Sequence, residues 1–175
     1  MNDNFEVIKY HRIKDKGFKI NNEYIFPYYL VTDKFQLYPY EYIDNDIKKQ
    51  VINSLNNEVN CIDAYSNEYI LSNWSNSNIF YVLTSSDNKT LYGTIAIKID
   101  NNSPFIGDLF IVKKYRSNGY ARYLLKYANK YIKRLGFSKS ILWCNDYMLK
   151  YYKKLGWKIQ NKTKDYYVME YNLKK

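Results

Sequence analysis

The chain has 175 residues, 46% hydrophobic and 25% charged, ordinary values for a single globular domain of 1–175 with a sizeable core. Its net charge of +10 is unevenly placed: residues 113–175 hold 17 Lys and Arg against 3 Asp and Glu, and residues 1–112 are net −4. No apolar run nears the ~18 residues of a membrane span, Met1–Asn4 is polar rather than the start of a secretory signal, and two Cys with one His (His11) give neither a disulfide framework nor a zinc-ligand pair, so a soluble protein of the reducing cytoplasm without metal is expected.

Residues 5–13 and 24–32 are rich in β-branched and aromatic residues and read as strands, with turns at Asp15-Lys16-Gly17 and Asn21-Asn22. From Asp44 to about Val59, Ile47, Val51, Ile52 and Leu55 recur at helical spacing, and Asp44 suits the N-cap. A weaker helix covers 62–73. The pattern then changes period. Residues 79–84 are a continuous apolar run, 85–89 a turn cluster, and 91–99 alternate; after a turn at 101–104, residues 105–112 form a third strand. Three strands with short polar connections predict an antiparallel meander. A helix follows over Tyr120–Leu135, with an apolar stripe of Tyr120, Leu124, Ala128, Tyr131 and Leu135, a basic stripe of Arg122, Lys126, Lys130 and Lys133, and Gly136 as its C′ residue. A strand at 138–144, a short helix at 146–156 closed by Gly156, and a last strand at 166–172 complete the chain. The fold class is α/β, with a sheet that turns locally parallel where the 120–135 helix crosses over.

The segment 105–121 runs strand, basic loop, glycine, helix. A helix N-terminus presents unpaired N–H groups and the positive end of its dipole, which suits phosphate. Gly119 allows close backbone approach, Arg116 offers a donor fork, and Lys113 and Lys114 add charge. The loop is neither G-x-G-x-x-G nor G-x-x-x-x-G-K-[ST], which excludes those two nucleotide-binding turns. On these residues alone, a plain helix start with a surface arginine is an equal reading.

Two motifs together carry a resemblance. Arg116-x-x-Gly119-x-Ala121, after a strand and opening an amphipathic helix, resembles the [Q/R]-x-x-G-x-[G/A] pyrophosphate loop of the GNAT superfamily of N-acetyltransferases. About 25 residues on, Asn145 and then Tyr151-Tyr152-Lys153-Lys154-Leu155-Gly156-Trp157 are similar to that superfamily's second signature. The match covers roughly 79–173. It implies a mixed, mainly antiparallel sheet of about six or seven strands, flanked by about four helices, with a V-shaped splay between the superfamily's fourth and fifth strands. The acetyl-CoA-binding core would be 79–173 and the variable acceptor side 1–75.

The resemblance also implies site roles. Backbone of Leu109, Phe110, Ile111 and Val112 would face the pantetheine arm, with an N–H near Phe110 or Ile111 as oxyanion donor, a role worth about 10²–10³ in rate in a protease. Lys114, Arg116, Ser117, Asn118, Gly119, Tyr120 and Ala121 would hold the pyrophosphate. Asn145, Tyr151 and Lys153 would line the rest, although Asn145 as a helix cap is an equal reading. The splay calls for a strand bulge, for which Gly107 is the natural place. Tyr152 matches the family's general acid. Some members carry a Glu as base where this chain has Gly107; Asp108 is the nearest carboxylate, although a structural Asp is an equal reading, and Tyr81, Asp100 and an ordered water chain are other routes. The implied reaction is acetyl transfer from acetyl-CoA to a primary amine by direct attack in a ternary complex. A homodimer is compatible with the resemblance. Two other readings stay open: a GNAT fold that binds coenzyme A without chemistry, and a basic nucleic-acid-binding module. The latter is disfavoured because the cations follow helical stripes and no RNP-like strand is present.

Overall fold

The structure, a computed structural model, describes residues 7–12, 18–20, 23–25, 28–58, 65–73, 79–100 and 103–174. The turns expected at 15–17 and 21–22 lie outside these residues, as does Cys61. In chain order the elements are β1 (Val7–Arg12), β2 (Phe18–Ile20), β3 (Glu23–Ile25), β4 (Tyr28–Thr32), β5 (Phe35–Pro39), α1 (Asn45–Glu58), α2 (Asn67–Asn73), β6 (Ile79–Ser85), β7 (Leu91–Asp100), β8 (Ser103–Ile111), α3 (Tyr120–Arg134), β9 (Lys139–Cys144), α4 (Asp146–Lys154), β10 (Lys158–Lys162) and β11 (Tyr167–Asn172).

Among the described residues nine strands form one sheet in the order β1-β4-β5-β6-β7-β8-β9-β11-β10, and β2 pairs with β3 separately. Every neighbouring pair is antiparallel except β8 and β9. The mixed α/β class, the four helices of the described residues and the mainly antiparallel sheet agree with expectation, while the strand count exceeds the six or seven expected. Two of the extra strands have clear causes. β5 ends in Pro39, a residue that argues against a strand in sequence, yet Phe35 and Leu37 are fully buried on its inner face. β10 is exposed along its whole length and is held by backbone pairing to β11 at the sheet edge.

The sheet is covered on both faces at its centre. One core joins Ile47, Val51 and Leu55 of α1 and Ile70 of α2 to Phe80, Val82, Ala96 and Phe110. The other joins Leu124, Leu125, Ala128, Tyr131 and Ile132 of α3 to Tyr81, Leu83, Ile95, Ile97, Ile106, Ile111, Leu142 and Met169. β6 supplies both cores, and this explains its unbroken apolar run. Each fully buried aliphatic side chain contributes about 1.5–3 kcal/mol.

β8 and β9 pair in parallel only at Phe105↔Ile141 and Ile106↔Leu142. Beyond those two pairs the strands part, so among the described residues the C-terminal half of β8 is bonded to β7 on one side and to no strand on the other. The predicted V-shaped splay is present. At its start the β7–β8 register shifts between Thr94 and Ala96, with Asp108 in the left-handed region at φ +44°. The strained position is thus Asp108, one residue beyond the expected Gly107; Asp is one of the few non-glycine residues that visit this region readily. The Thr94 hydroxyl donates to the Asp108 carbonyl at 2.9 Å and secures the bulge. β7 approaches β8 closely just past it: a Cβ on Gly93 would lie 2.3 Å from the Phe110 carbonyl oxygen.

Candidate active site

The loop after β8 begins with a 3₁₀ turn over Lys113–Tyr115, in which Tyr115 N–H donates to the Val112 carbonyl at 2.8 Å. Ser117 and Gly119 then adopt φ of +67° and +83°. The Asn118 amide donates back to the carbonyls of Tyr115 and Arg116. Gly119 is the N-cap of α3 and no side chain caps the helix. The first helical bond runs from Tyr123 N–H to the Gly119 carbonyl, so the N–H groups of Tyr120, Ala121 and Arg122 have no intrahelical acceptor. A Cβ placed on Gly119 would meet nothing within 4 Å. The uncapped helix end and this free space together suit an anion. The rings of Tyr115 and Tyr120 both rest on Tyr92 of β7, at centroid distances of 4.6 and 5.0 Å, which fixes the two ends of the loop to one strand. Lys114 lies over the Tyr115 ring.

Val112 N–H donates to the Tyr92 carbonyl at 3.0 Å, on the β7 side. Strand alternation then directs Phe110 N–H to β7 and the Ile111 N–H and C=O into the splay. Of the two oxyanion candidates, Ile111 is the one whose N–H faces the gap. Its carbonyl accepts the Arg116 Nε at 2.9 Å, and Arg116 Nη2 is 3.0 Å from Glu58 Oε2. Two donors of the expected phosphate ligand are therefore engaged with protein. Leu109 and Val112 are half-buried beside the gap.

Asp108 lies at the bulge, half-buried, and its Oδ1 accepts the Tyr65 hydroxyl at 2.9 Å. Burial pushes its carboxyl up from the ordinary range, an effect the Tyr65 bond opposes. Across the splay, Asn145 stands at the N-cap of α4 with extended backbone, yet its side chain makes no capping bond. Its Oδ1 is buried with no hydrogen-bond partner among the described residues. The cap reading of this side chain does not hold, and a buried acceptor is left for another group.

The signature around Tyr152 has a structural reason. Gly156, at φ +92°, closes α4 in a Schellman turn, with Gly156 N–H on the Lys153 carbonyl and Trp157 N–H on the Tyr152 carbonyl. The turn folds Trp157 back onto Tyr152, their ring centroids 6.2 Å apart, and Tyr151 meets Tyr152 at 5.4 Å. Tyr152 is 7% exposed. Burial first, then the neighbouring Tyr151 and Cys144, push its phenol well above the ordinary value. Tyr151 is likewise raised by burial. The Cys144 thiol at the end of β9 is buried and also raised, by burial and by Asp146.

Lys153 is exposed in the last turn of α4, where a cation complements the helix dipole. Its neighbour Lys154 lines a cavity of about 350 Å³ with Arg122, Leu125, Lys126 and Asn129 of α3, and with Leu155, Trp157 and Tyr171. Arg122, Lys126 and Lys154 are thus gathered in one groove between α3 and α4. The sequence shows them only as members of a basic stripe and a basic helix end. Glu58 and Tyr65 are further contacts that sequence reasoning missed. Among the described residues no group of His, Cys, Asp and Glu could hold a metal ion, and no helix is long and apolar enough to cross a membrane.

Residues 49–157 match the family described as the acetyltransferase (GNAT) family. No curated protein sequence matches. Among solved structures, a GNAT-family acetyltransferase from Staphylococcus aureus is similar over 80% of this chain and 99% of its own, at 18% identity and TM-score 0.62. The N-acetylglutamate synthase of Neisseria gonorrhoeae, solved with coenzyme A and N-acetyl-glutamate, matches 81% of this chain with 35% of its own length, at 15% identity and TM-score 0.64. The PaiA N-acetyltransferase of Thermoplasma acidophilum, in complex with coenzyme A, matches 62% of this chain and 80% of its own, at 22% identity and TM-score 0.51.

Proposed function

The chain belongs to the acetyltransferase (GNAT) family, and we propose that it moves the acetyl group of acetyl-CoA onto a primary amine by direct attack in a ternary complex. The observation that carries this reading is the open edge of β8. Pairing with β9 stops after Ile106↔Leu142, and an unpaired strand edge inside a sheet needs another partner. The gap leads to the uncapped N-terminus of α3 and passes the unpartnered Asn145 Oδ1. These three features fit a long ligand with amide groups at one end and phosphates at the other. In this reading Tyr120, Ala121 and Arg122 N–H hold the pyrophosphate. Arg122, Lys126 and Lys154 face the remaining phosphate, and Ile111 N–H and Asn145 meet the pantetheine arm.

Bound acetyl-CoA supplies an activated acyl carbonyl and a thiolate leaving group. Asp108 takes the proton the amine gives up as the C–N bond forms. Its raised pKa makes it a better base than an ordinary carboxylate, and the Tyr65 hydroxyl orients it. Burial holds the Tyr152 phenol in its protonated form in the free enzyme, and Tyr152 gives that proton to the sulfur as the C–S bond breaks. The Cys144 thiol, raised and buried, stays protonated, so an acyl-enzyme route through it is disfavoured. The test is calorimetric titration with acetyl-CoA followed by two-substrate kinetics. One binding event per chain and intersecting initial-velocity lines are expected; no binding, or parallel lines, would overturn the reading.

A further inference from the structure

Glu58 is the last residue of α1. A helix C-terminus carries partial negative charge, which disfavours a carboxylate there. This one has two donors on a single oxygen. Its Oε2 accepts Lys113 N–H at 3.1 Å and Arg116 Nη2 at 3.0 Å, contacts 55 and 58 residues away in sequence. Arg116 Nε in turn bonds the Ile111 carbonyl at 2.9 Å. That carbonyl faces the splay, where no strand supplies a donor. The guanidinium therefore closes the end of the open edge, and Glu58 holds the guanidinium in place.

We propose that Glu58 is a positioning residue for the loop over 113–119. It fixes Lys113 and Arg116 so that the loop leading to the N-terminus of α3 is set before the donor arrives. The inference rests on the reading that this loop holds the pyrophosphate of acetyl-CoA, and it explains what the motif arginine does when two of its donors are turned to protein. Glu58 acts through Arg116 and the backbone, without touching the donor. Its effect is preorganisation, which shows in affinity rather than in the chemical step.

The experiment uses the full chain and two donors, acetyl-CoA and S-acetylpantetheine, which lacks the pyrophosphate. In Glu58→Ala the Kd and KM for acetyl-CoA should rise roughly five- to tenfold, the range for a partly exposed charged hydrogen bond. kcat at saturation and kcat/KM with S-acetylpantetheine should stay at the wild-type values. Glu58→Gln keeps an acceptor for Lys113 N–H and should fall between. Wild-type affinity for acetyl-CoA in Glu58→Ala would overturn the inference alone. Equal losses with both donors would also overturn it, marking Glu58 as merely structural. A wild-type chain that binds no acetyl-CoA would overturn the proposed function and this inference with it.

Discussion

Two glycines in this chain form a matched pair that isolates the donor site. Gly119 and Gly136 flank α3 with φ of +83° and +90°, and a Cβ on either would meet nothing within 4 Å. Alanine at either position therefore has the same cost, the left-handed strain of an L residue, about 1–2 kcal/mol. For a chain of this size each kcal/mol moves Tm by roughly 2–4 °C, so both Gly119→Ala and Gly136→Ala should melt about 2–8 °C below wild type. Ligand separates them. At a donor concentration of about 100 times Kd, binding stabilises the native state by about 2.7 kcal/mol, an upward shift of roughly 5–11 °C in the wild type. Gly136→Ala, at the far end of the helix, should keep the whole shift. Gly119→Ala puts a methyl into the open space at the N-terminus of α3 and should lose half of it or more. Thermal melts of the three proteins with and without acetyl-CoA give the answer. Equal ligand shifts in the two variants would refute the placement of the pyrophosphate at Gly119.

Tyr152→Phe keeps the ring contacts with Tyr151 and Trp157 and removes only the hydroxyl; kcat should fall about 10²–10³-fold with little change in acetyl-CoA affinity, and wild-type turnover would remove Tyr152 from the mechanism. Asp108→Asn keeps an acceptor for Tyr65 and should abolish the acid limb of the kcat/KM profile together with most of the rate. The raised pKa of Asp108 also has a stability consequence: the folded state binds this proton more tightly than the unfolded chain, so its contribution is present at low pH and lost as pH rises through the folded pKa. Asp108→Asn should thus melt no lower than wild type near neutral pH, with the relative advantage shrinking as pH falls into the carboxylate range. A variant less stable at pH 8 than at pH 4, relative to wild type, would contradict this. Gly93→Ala places a methyl 2.3 Å from the Phe110 carbonyl oxygen and 2.6 Å from Ile111 Cδ1; because one neighbour is backbone, the strands must part at a cost of about 1–3 kcal/mol, and an unchanged Tm would show that β7 and β8 do not meet so closely.

The helices and central strands are legible in the sequence because their signals are local. Gly136 and Gly156 end α3 and α4 at the positions their spacing indicates, and both do so by Schellman turns. That geometry links Gly156 to Trp157 and Tyr152, so the second motif is partly a statement about folding. Edge strand β10 is not legible, since nothing in Lys158–Lys162 is buried and backbone pairing alone defines it. The bulge is legible as a need but not as a position, because Asp108 is held in its left-handed conformation by Thr94 from another strand. Arg116 stands where the loop motif places it, but its side-chain direction depends on Glu58, 58 residues earlier. Local pattern carries no trace of such a contact. The charge split narrows in the same way: of the cations in residues 113–175, Arg122, Lys126 and Lys154 are brought to one groove, whereas Lys139 pairs with Glu170 on the sheet.

The central claim is that this chain transfers acetyl groups from acetyl-CoA to an amine. A thiol-release assay tests it most directly, with acetyl-CoA offered alongside polyamines, amino sugars, amino acids, peptides and aminoglycosides, and products weighed by mass spectrometry. The account predicts that at least one amine releases free coenzyme A in step with an acetylated product 42 Da heavier, the mass of an acetyl group replacing a hydrogen, at about one product per thiol. Tight acetyl-CoA binding with no thiol released by any amine class would contradict it and leave a coenzyme A-binding fold without transfer.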